Sequence, residues 1–263
     1  MEVVSPTSLD EALRIKAEHP EAVPIQGGTD VMVELNFDRR RPDVLMNLNG
    51  VPELRGWSRE DGALRLAAGL TYAEVMEAPL SELLPALAEA SRTVGSPQIR
   101  NRGTLGGNLG TASPAGDALP PLLVEDASVE VASVRGARTV PLREFLVGPK
   151  RNGAAADELI TAVRVVPSGA PQTFMKVGPR NAMVISVCSL AVVADREREE
   201  LRASFGSAGP VAGLVVCPIA EASSFSERVV EASSPIDDVR GTAAYRRHAL
   251  GVLAKRALER CLG

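Results

Sequence analysis

The sequence predicts an α+β fold, on three observations. Apolar residues alternate or cluster in short runs bounded by Gly, Pro and charged turns, so most stretches read as strands. Helical patterns gather at the two ends of each stretch and do not recur between strands as a doubly wound sheet requires. Neither of two Gly-rich segments reads as G-x-G-x-x-G opening a long helix, or as a phosphate loop ending in Lys-Ser/Thr.

In chain order, Ser8-Leu-Asp-Glu11 has the spacing of a capping box, and Leu9, Ala12 and Leu13 follow at helical spacing until His19-Pro20. Val23–Ile25 is a short strand running into Gln26-Gly-Gly-Thr-Asp30. Val31, Val33 and Leu35 fit a short helix or a strand, and 44–48 is a strand. A second unit holds an alternating strand at Ala63–Ala68, a capping box at Thr71-Tyr-Ala-Glu74, and a helix predicted over 79–93 with Leu80, Leu83, Leu84, Leu87 and Ala90 on one face. The stretch 94–117 is rich in Gly, Ser, Thr and Asn, which an ordered domain tolerates mainly where it binds something. Strands at 128–134 and 138–141 form a hairpin turned at Arg135-Gly136, and 158–166 closes the unit. A third unit carries three antiparallel strands at 173–178, 184–194 and 200–207, short helices at 218–222 and 226–232, and a long helix over 243–261. Its basic stripe at Arg246, Arg247, Lys255 and Arg256 reads as a solvated or subunit-facing surface. The expected units are 1–55, 56–168 and 169–263.

Composition excludes several classes. The 263 residues are 45% apolar and 24% charged, an ordinary globular mix. Aromatics at 3% and a net charge of −4 leave no stacking platform or basic footprint for nucleic acid. No run of ~18 apolar residues spans a membrane, and the first residues lack a signal-peptide pattern. A cytoplasmic home is expected. Cys188, Cys217, Cys261, His19 and His248 are far apart, so a four-thiolate iron–sulfur cluster cannot be built from this chain. No metal site is expected, and redox chemistry here would need an organic cofactor.

Gly27-Gly28 after a strand allows positive φ, and successive amides with the Thr29 hydroxyl could form an anion site; a plain tight turn is the alternative. Thr104-Leu-Gly-Gly-Asn108 repeats those residue types. Two such loops suggest two walls around one polyphosphate, which an acidic chain could bind through backbone amides. Asp117 fits a helix N-cap ahead of 118–124. Lys176 fits a solvated strand residue.

Five segments in order make the resemblance specific: 26–30, Ile-Arg-Asn-Arg-Gly-Thr-Leu-Gly-Gly-Asn at 99–108, Ala-Ser-Pro-Ala-Gly-Asp at 112–117, Lys176-Val-Gly-Pro-Arg-Asn-Ala-Met-Val-Ile-Ser186 and Tyr245-Arg-Arg-His248. The chain resembles the FAD-binding medium subunit of molybdenum hydroxylases, the carbon monoxide, xanthine and aldehyde dehydrogenase family. The resemblance implies a vanillyl-alcohol-oxidase (PCMH) type fold. Two α+β subdomains would hold FAD, and a C-terminal domain of a three-stranded sheet plus helices would cover it. It places Pro24, Ile25, Gln26, Gly27, Gly28, Thr29, Asp30 and Val31 in the first FAD loop, with Thr104, Leu105, Gly106, Gly107 and Asn108 in the second. Thr111 would lie near the flavin, Asp117 would accept hydrogen bonds from the cofactor, Ile160 would contact the adenine side, and Lys176 would reach the isoalloxazine edge. Gln26 stands where Ala is common, and Val94 where some relatives carry an aromatic.

The resemblance implies no catalytic residue in this chain. Electrons would arrive from iron–sulfur clusters on a small [2Fe-2S] subunit, fed by a molybdopterin-binding large subunit. They would leave through FAD to NAD or a quinone-type acceptor, the assembly being a dimer of heterotrimers. A flavin-free nucleotide-binding scaffold and a stand-alone flavin-dependent reductase of the same superfamily are the alternatives.

Overall fold

Ser8 starts the first helix by accepting from the amide of Glu11 (3.2 Å). The Glu11 carboxylate bonds the Thr7 amide and hydroxyl, one residue earlier than a standard capping box. The structure is a computed structural model that describes every residue except Ala182. Strands β1 (Glu2–Val4) and β2 (Val23–Ile25) pair in parallel with opposite edges of β3 (Val44–Asn47). Helix α1 (Leu9–Glu18) covers this sheet, packing Ala12 and Leu13 with Val44 and Met46. Residues 31–36 resolve as a helix, α2 (Val31–Asn36), none of whose residues is buried.

A five-stranded antiparallel sheet follows, in the order β4 (Trp57–Glu60), β5 (Ala63–Ala67), β10, β6, β7. The chain leaves β5 through α3 (Tyr72–Val75), started by a complete Thr71/Glu74 capping box. The single helix predicted over 79–93 is two, α4 (Leu80–Leu83) and α5 (Pro85–Thr93). Pro85 has no amide to continue α4 and restricts Leu84, but it suits the first turn of a new helix. Three short helices come next, α6 (Pro97–Arg100), α7 (Leu105–Thr111) and α8 (Leu119–Val124). The hairpin of β6 (Ser128–Ser133) and β7 (Gly136–Pro141) then leads through α9 (Leu142–Phe145) to the small ladder of β8 (Leu146–Gly148) and β9 (Arg151–Asn152). β10 (Leu159–Val165) returns to the middle of the sheet, between β5 and β6. Leu64, Leu66, Val129, Val131 and Val163 pack with Leu105, Leu109, Leu119 and Leu122 of α7 and α8.

The last sheet is an antiparallel meander of four strands, not three: β11 (Gln172–Val177), β12 (Cys188–Asp195), β13 (Glu200–Gly206) and β14 (Gly213–Pro218). The added edge strand β14 is a four-residue apolar run between Gly213 and Pro218. It is too short to signal alone, and it becomes a strand by pairing with β13. The strand expected from 184 begins only at Cys188. One face of the sheet packs on α10 (Phe225–Ala232) and α11 (Ala243–Leu262) through Leu190, Val192, Ala203 and Phe205. The other packs Phe174, Ala191 and Val193 against α5 and α8. β12 is therefore buried on both faces, which explains its unbroken apolar run. A six-residue 3₁₀ turn (Ile219–Ser224) replaces the short helix expected at 218–222.

Arg246 corrects the reading of a solvated basic stripe. It is 1% exposed and donates to the carbonyls of Val187 (2.7 Å) and Ser207 (2.6 Å) and to Asp238 (2.5 Å). Arg247, His248, Lys255 and Arg256 stay exposed. All three cysteines are free and buried, and burial pushes the Cys188 thiol up to about 12. Among the described residues, no helix is long and apolar enough to cross a membrane.

Two predictions follow from this knot. Arg246→Met leaves the buried carbonyls of Val187 and Ser207 without their donor and takes one of two guanidinium partners from Asp238, so unfolding stability should fall by about 3–5 kcal/mol in urea titration. At Asp238 burial favours the neutral acid, but the bonds from Arg240 and the charge of Arg246 prevail and hold its carboxyl down at about 2. A carboxyl depressed on folding stabilises above its unfolded value of about 3.9, and that contribution is lost as pH falls towards 2. Asp238→Asn should flatten this acid limb in thermal melts recorded from about pH 5 to pH 2.

Candidate functional site

The loop after β2 is held at its first residue. The Gln26 carbonyl accepts from Asn49 Nδ2 (3.0 Å) and from the Arg102 guanidinium (3.1 Å). Gly27 presses on the next segment so closely that a Cβ there would lie 2.1 Å from the Arg102 carbonyl oxygen, so no other residue fits. Gly28 takes φ +74°, the left-handed region. Among the described residues, the amides of Gly28, Thr29 and Asp30 donate to no protein acceptor. Three successive amides around a left-handed glycine form the concave arrangement that holds an oxyanion.

The second glycine segment is built differently from the loop its sequence predicts. Thr104 caps α7 and is itself the strand-like partner of Thr71. The Leu105 amide bonds the Leu70 carbonyl (3.0 Å) and that of Gly106 the Ala68 carbonyl (2.7 Å). Gly107 donates to Thr104 Oγ1 (3.0 Å) and Asn108 to the Thr104 carbonyl (3.0 Å). All four leading amides are satisfied within the protein, so this segment is not a second amide wall. Its glycines serve proximity. A Cβ on Gly106 would lie 2.6 Å from the Ala68 side chain, whereas Gly107 and Gly110 are exposed and give α7 a face without side chains.

Two ties lay the first loop along that helix. Arg102 to Gln26 fixes one end, and Thr111 Oγ1 donating to Asp30 Oδ2 (2.7 Å) fixes the other. Ile160 on β10 reaches under Gly110, its Cδ1 3.9 Å from where a Cβ would stand. Pro24 and Ile25 end β2, Val31 starts α2, and Leu105 is buried in the core, so these four support the groove from behind or beside it. A cleft of about 360 Å³ lined by Arg164, Glu125, Asp195 and Arg202 lies at the opposite end of β10 from Ile160, away from both glycine segments.

Asp117 and Lys176 are together but turned inward. Lys176 Nζ donates to Asp117 Oδ2 (2.7 Å) and to the carbonyls of Thr93 (2.9 Å) and Val184 (3.1 Å). Its three ammonium hydrogens are committed, so Lys176 neither extends to a ligand as expected nor lies in solvent. Asp117 does not cap α8, whose N-cap is Ala118; its second oxygen accepts from Ser186 Oγ (2.5 Å). Burial raises the Asp117 carboxyl above the usual range, and Lys176 and Ser186 counter that rise. Part of the 176–186 motif, Ala182, lies outside the described residues. Sequence reasoning passed over Arg102, Ser186, Gly69 and Tyr72. Arg102 and Ser186 stand inside the quoted motifs. Gly69 leaves room for the Gln26 side chain, since a Cβ there would lie 2.2 Å from Gln26 Nε2. Tyr72 is buried with its ring against Gly103, and burial raises its phenol.

The donor set fits a nucleotide cofactor with a diphosphate: unused amides at a left-handed glycine, a bare helix face beside them, and a neighbouring guanidinium. Gln26 Nε2 and Asn108 Oδ1 are also buried without a protein partner.

Gly27→Ala should displace the loop from Arg102 and raise the Kd for FAD about tenfold, the effect of ~1.4 kcal/mol. Titration of apoprotein with FAD, followed by flavin fluorescence, measures it. A wild-type Kd would remove the close approach from the site's design.

Residues 1–168 match the family model described as FAD binding domain in molybdopterin dehydrogenase. The chain is 30% identical to the putative xanthine dehydrogenase FAD-binding subunit of Escherichia coli, over 96% of this chain and 92% of that protein. It is 36% identical to the nicotinate dehydrogenase FAD-subunit of Eubacterium barkeri, over 71% and 66% of the two chains. In fold it is similar to a chain of carbon monoxide dehydrogenase from Hydrogenophaga pseudoflava, with a TM-score of 0.91 at 24% identity, covering 99% of this chain and 96% of that one. The loop geometry, the PCMH-type fold and these matches agree, and the chain belongs to the FAD-binding subunits of the molybdopterin dehydrogenase family.

Proposed function

We propose that this chain is the electron-transfer subunit of a molybdenum hydroxylase, receiving electrons from iron–sulfur clusters on a [2Fe-2S] small subunit and passing them to NAD or a quinone-type acceptor. The observation that carries the reading is the left-handed Gly28 turn with its unused amides, laid along the bare face of α7. FAD, when bound, supplies the redox chemistry; the protein orients it and tunes it. Gly27, Gly28, Thr29 and Asp30 would hold the diphosphate and ribose, with Thr104, Gly106, Gly107, Asn108 and Thr111 forming the facing wall and Val31 and Leu105 supporting the two sides from behind. Pro24, Ile25 and Gln26 would set the loop's entry, and Ile160 would meet the adenine side. Asp117 would contact the cofactor, with Lys176 acting through Asp117. The proposed units are 1–55, 56–168 and 169–263, a division that the grouping of the strands into three main sheets supports.

Three scattered, buried cysteines support clusters on another chain. Among the described residues, no group of three or more His, Cys, Asp and Glu could hold a metal ion. A molybdopterin-binding large subunit completes the proposed assembly, as a dimer of heterotrimers. Relatives named as subunits support a multi-subunit assembly, among them the nicotine 6-hydroxylase medium subunit of Paenarthrobacter nicotinovorans. Free buried thiols are compatible with a reducing cytoplasm.

The purified chain should bind FAD, be bleached by dithionite and reoxidise, yet oxidise no purine, aldehyde or carbon monoxide. Adding the large and small subunits should restore substrate-dependent bleaching at 450 nm. Turnover of such a substrate by this chain alone would overturn its role as a subunit.

A further inference from the structure

We propose that Arg102 is the charge partner of the cofactor's diphosphate, a role resting on the flavin reading above. A diphosphate brings two negative charges to a chain whose net charge is already −4. Three amides of the first loop offer only partial charges, and the leading amides of α7 are spent on Leu70, Ala68 and Thr104. A full positive charge nearby would neutralise what the amides leave, and the cations around the groove are not equivalent.

Arg100 turns inward and gives its guanidinium to the carbonyls of Val94 and Gly95 (3.1 Å each). Lys150 stands opposite Glu34 (3.9 Å). Arg55 bonds the Asn49 carbonyl (2.8 Å), one layer behind the loop. Lys176 is neutralised by Asp117. Arg102 alone among these touches the loop itself. Its carbonyl is the surface Gly27 packs on, and its guanidinium donates one hydrogen to the Gln26 carbonyl. Among the described residues it has no carboxylate partner, and its side chain is exposed. One bond to Gln26 leaves four of the five guanidinium hydrogens for phosphate oxygens. The nearest acid of the loop, Asp30, is held at the far end by Thr111.

A guanidinium so placed has two possible duties, to hold the loop or to neutralise the ligand, and salt separates them. A charge contact with an exposed phosphate weakens as ionic strength rises, whereas a loop held by a hydrogen bond to a carbonyl does not. The test measures FAD affinity of the full-length apoprotein by flavin fluorescence quenching, in about 0.05 M and about 0.5 M salt. Wild type is compared with Arg102→Gln, Arg102→Lys and Arg55→Gln. The expected result is at least a tenfold loss for Arg102→Gln at low salt, shrinking to about threefold or less at high salt, as screening predicts. Arg102→Lys should recover most of the affinity, and Arg55→Gln should match wild type. Arg102→Gln binding within twofold of wild type at low salt would overturn the proposal. So would an equal loss at both salt concentrations, or a lysine variant as weak as the glutamine one, each of which assigns Arg102 to holding the loop. In those cases the flavin reading stands, because wild type still binds FAD. A wild-type chain that takes up no FAD overturns both.

Discussion

The contact between Gly27 and the carbonyl of Arg102 is the constraint around which the groove between the first glycine loop and α7 is arranged. It joins the loop after β2 of the small parallel sheet to the turn between α6 and α7, and it tolerates no side chain. Because the backbones meet there, the loop must turn away at once, and a left-handed Gly28 makes that turn. The turn leaves successive amides without internal acceptors at half-buried to exposed residues, where a ligand or water can supply them. The glycines of α7 are the other half of the same arrangement: Gly106 lets the helix sink onto Ala68, and Gly107 and Gly110 leave its outer face bare.

The second organising contact is the buried Lys176–Asp117 pair. Through it, β11 is fastened to the end of α5, to the segment before α8, and to the chain at Val184 and Ser186. Ion pairs this deep add little net stability over apolar packing, but removing one partner strands a buried charge. The pair therefore fixes where the C-terminal sheet sits against the helices more than it strengthens the whole. The Ser207 amide bonding the Pro114 carbonyl (2.7 Å) fastens the same joint from β13's end.

Much of this was legible without coordinates wherever the cause was local. The Thr71/Glu74 box, the hairpin at Arg135-Gly136 and the positive φ of Gly28 depend on residues within four positions of one another. Pro85 was equally local and was overlooked, since the leucine periodicity on either side of it is continuous through the break. The pattern around 104–108 misled because the same glycine-rich string serves a loop with free amides or a helix packed on a neighbour. Only the approach of Leu70 and Ala68 from β5's end decides between them.

The sequence by itself determined the α+β class, most of the strands and the order in which they come, the glycine turn at 26–30 and the family, because periodicity, turn chemistry and motif order are properties of a one-dimensional string. Tertiary structure alone decided that Lys176 faces Asp117, that Arg246 is buried, that β14 is a strand and that α7 has no spare amides. Each of these depends on a partner brought close by folding from a distant part of the chain. A side chain's charge and a backbone's donors are fixed by sequence, but what they bond to is fixed by which distant atoms reach them first.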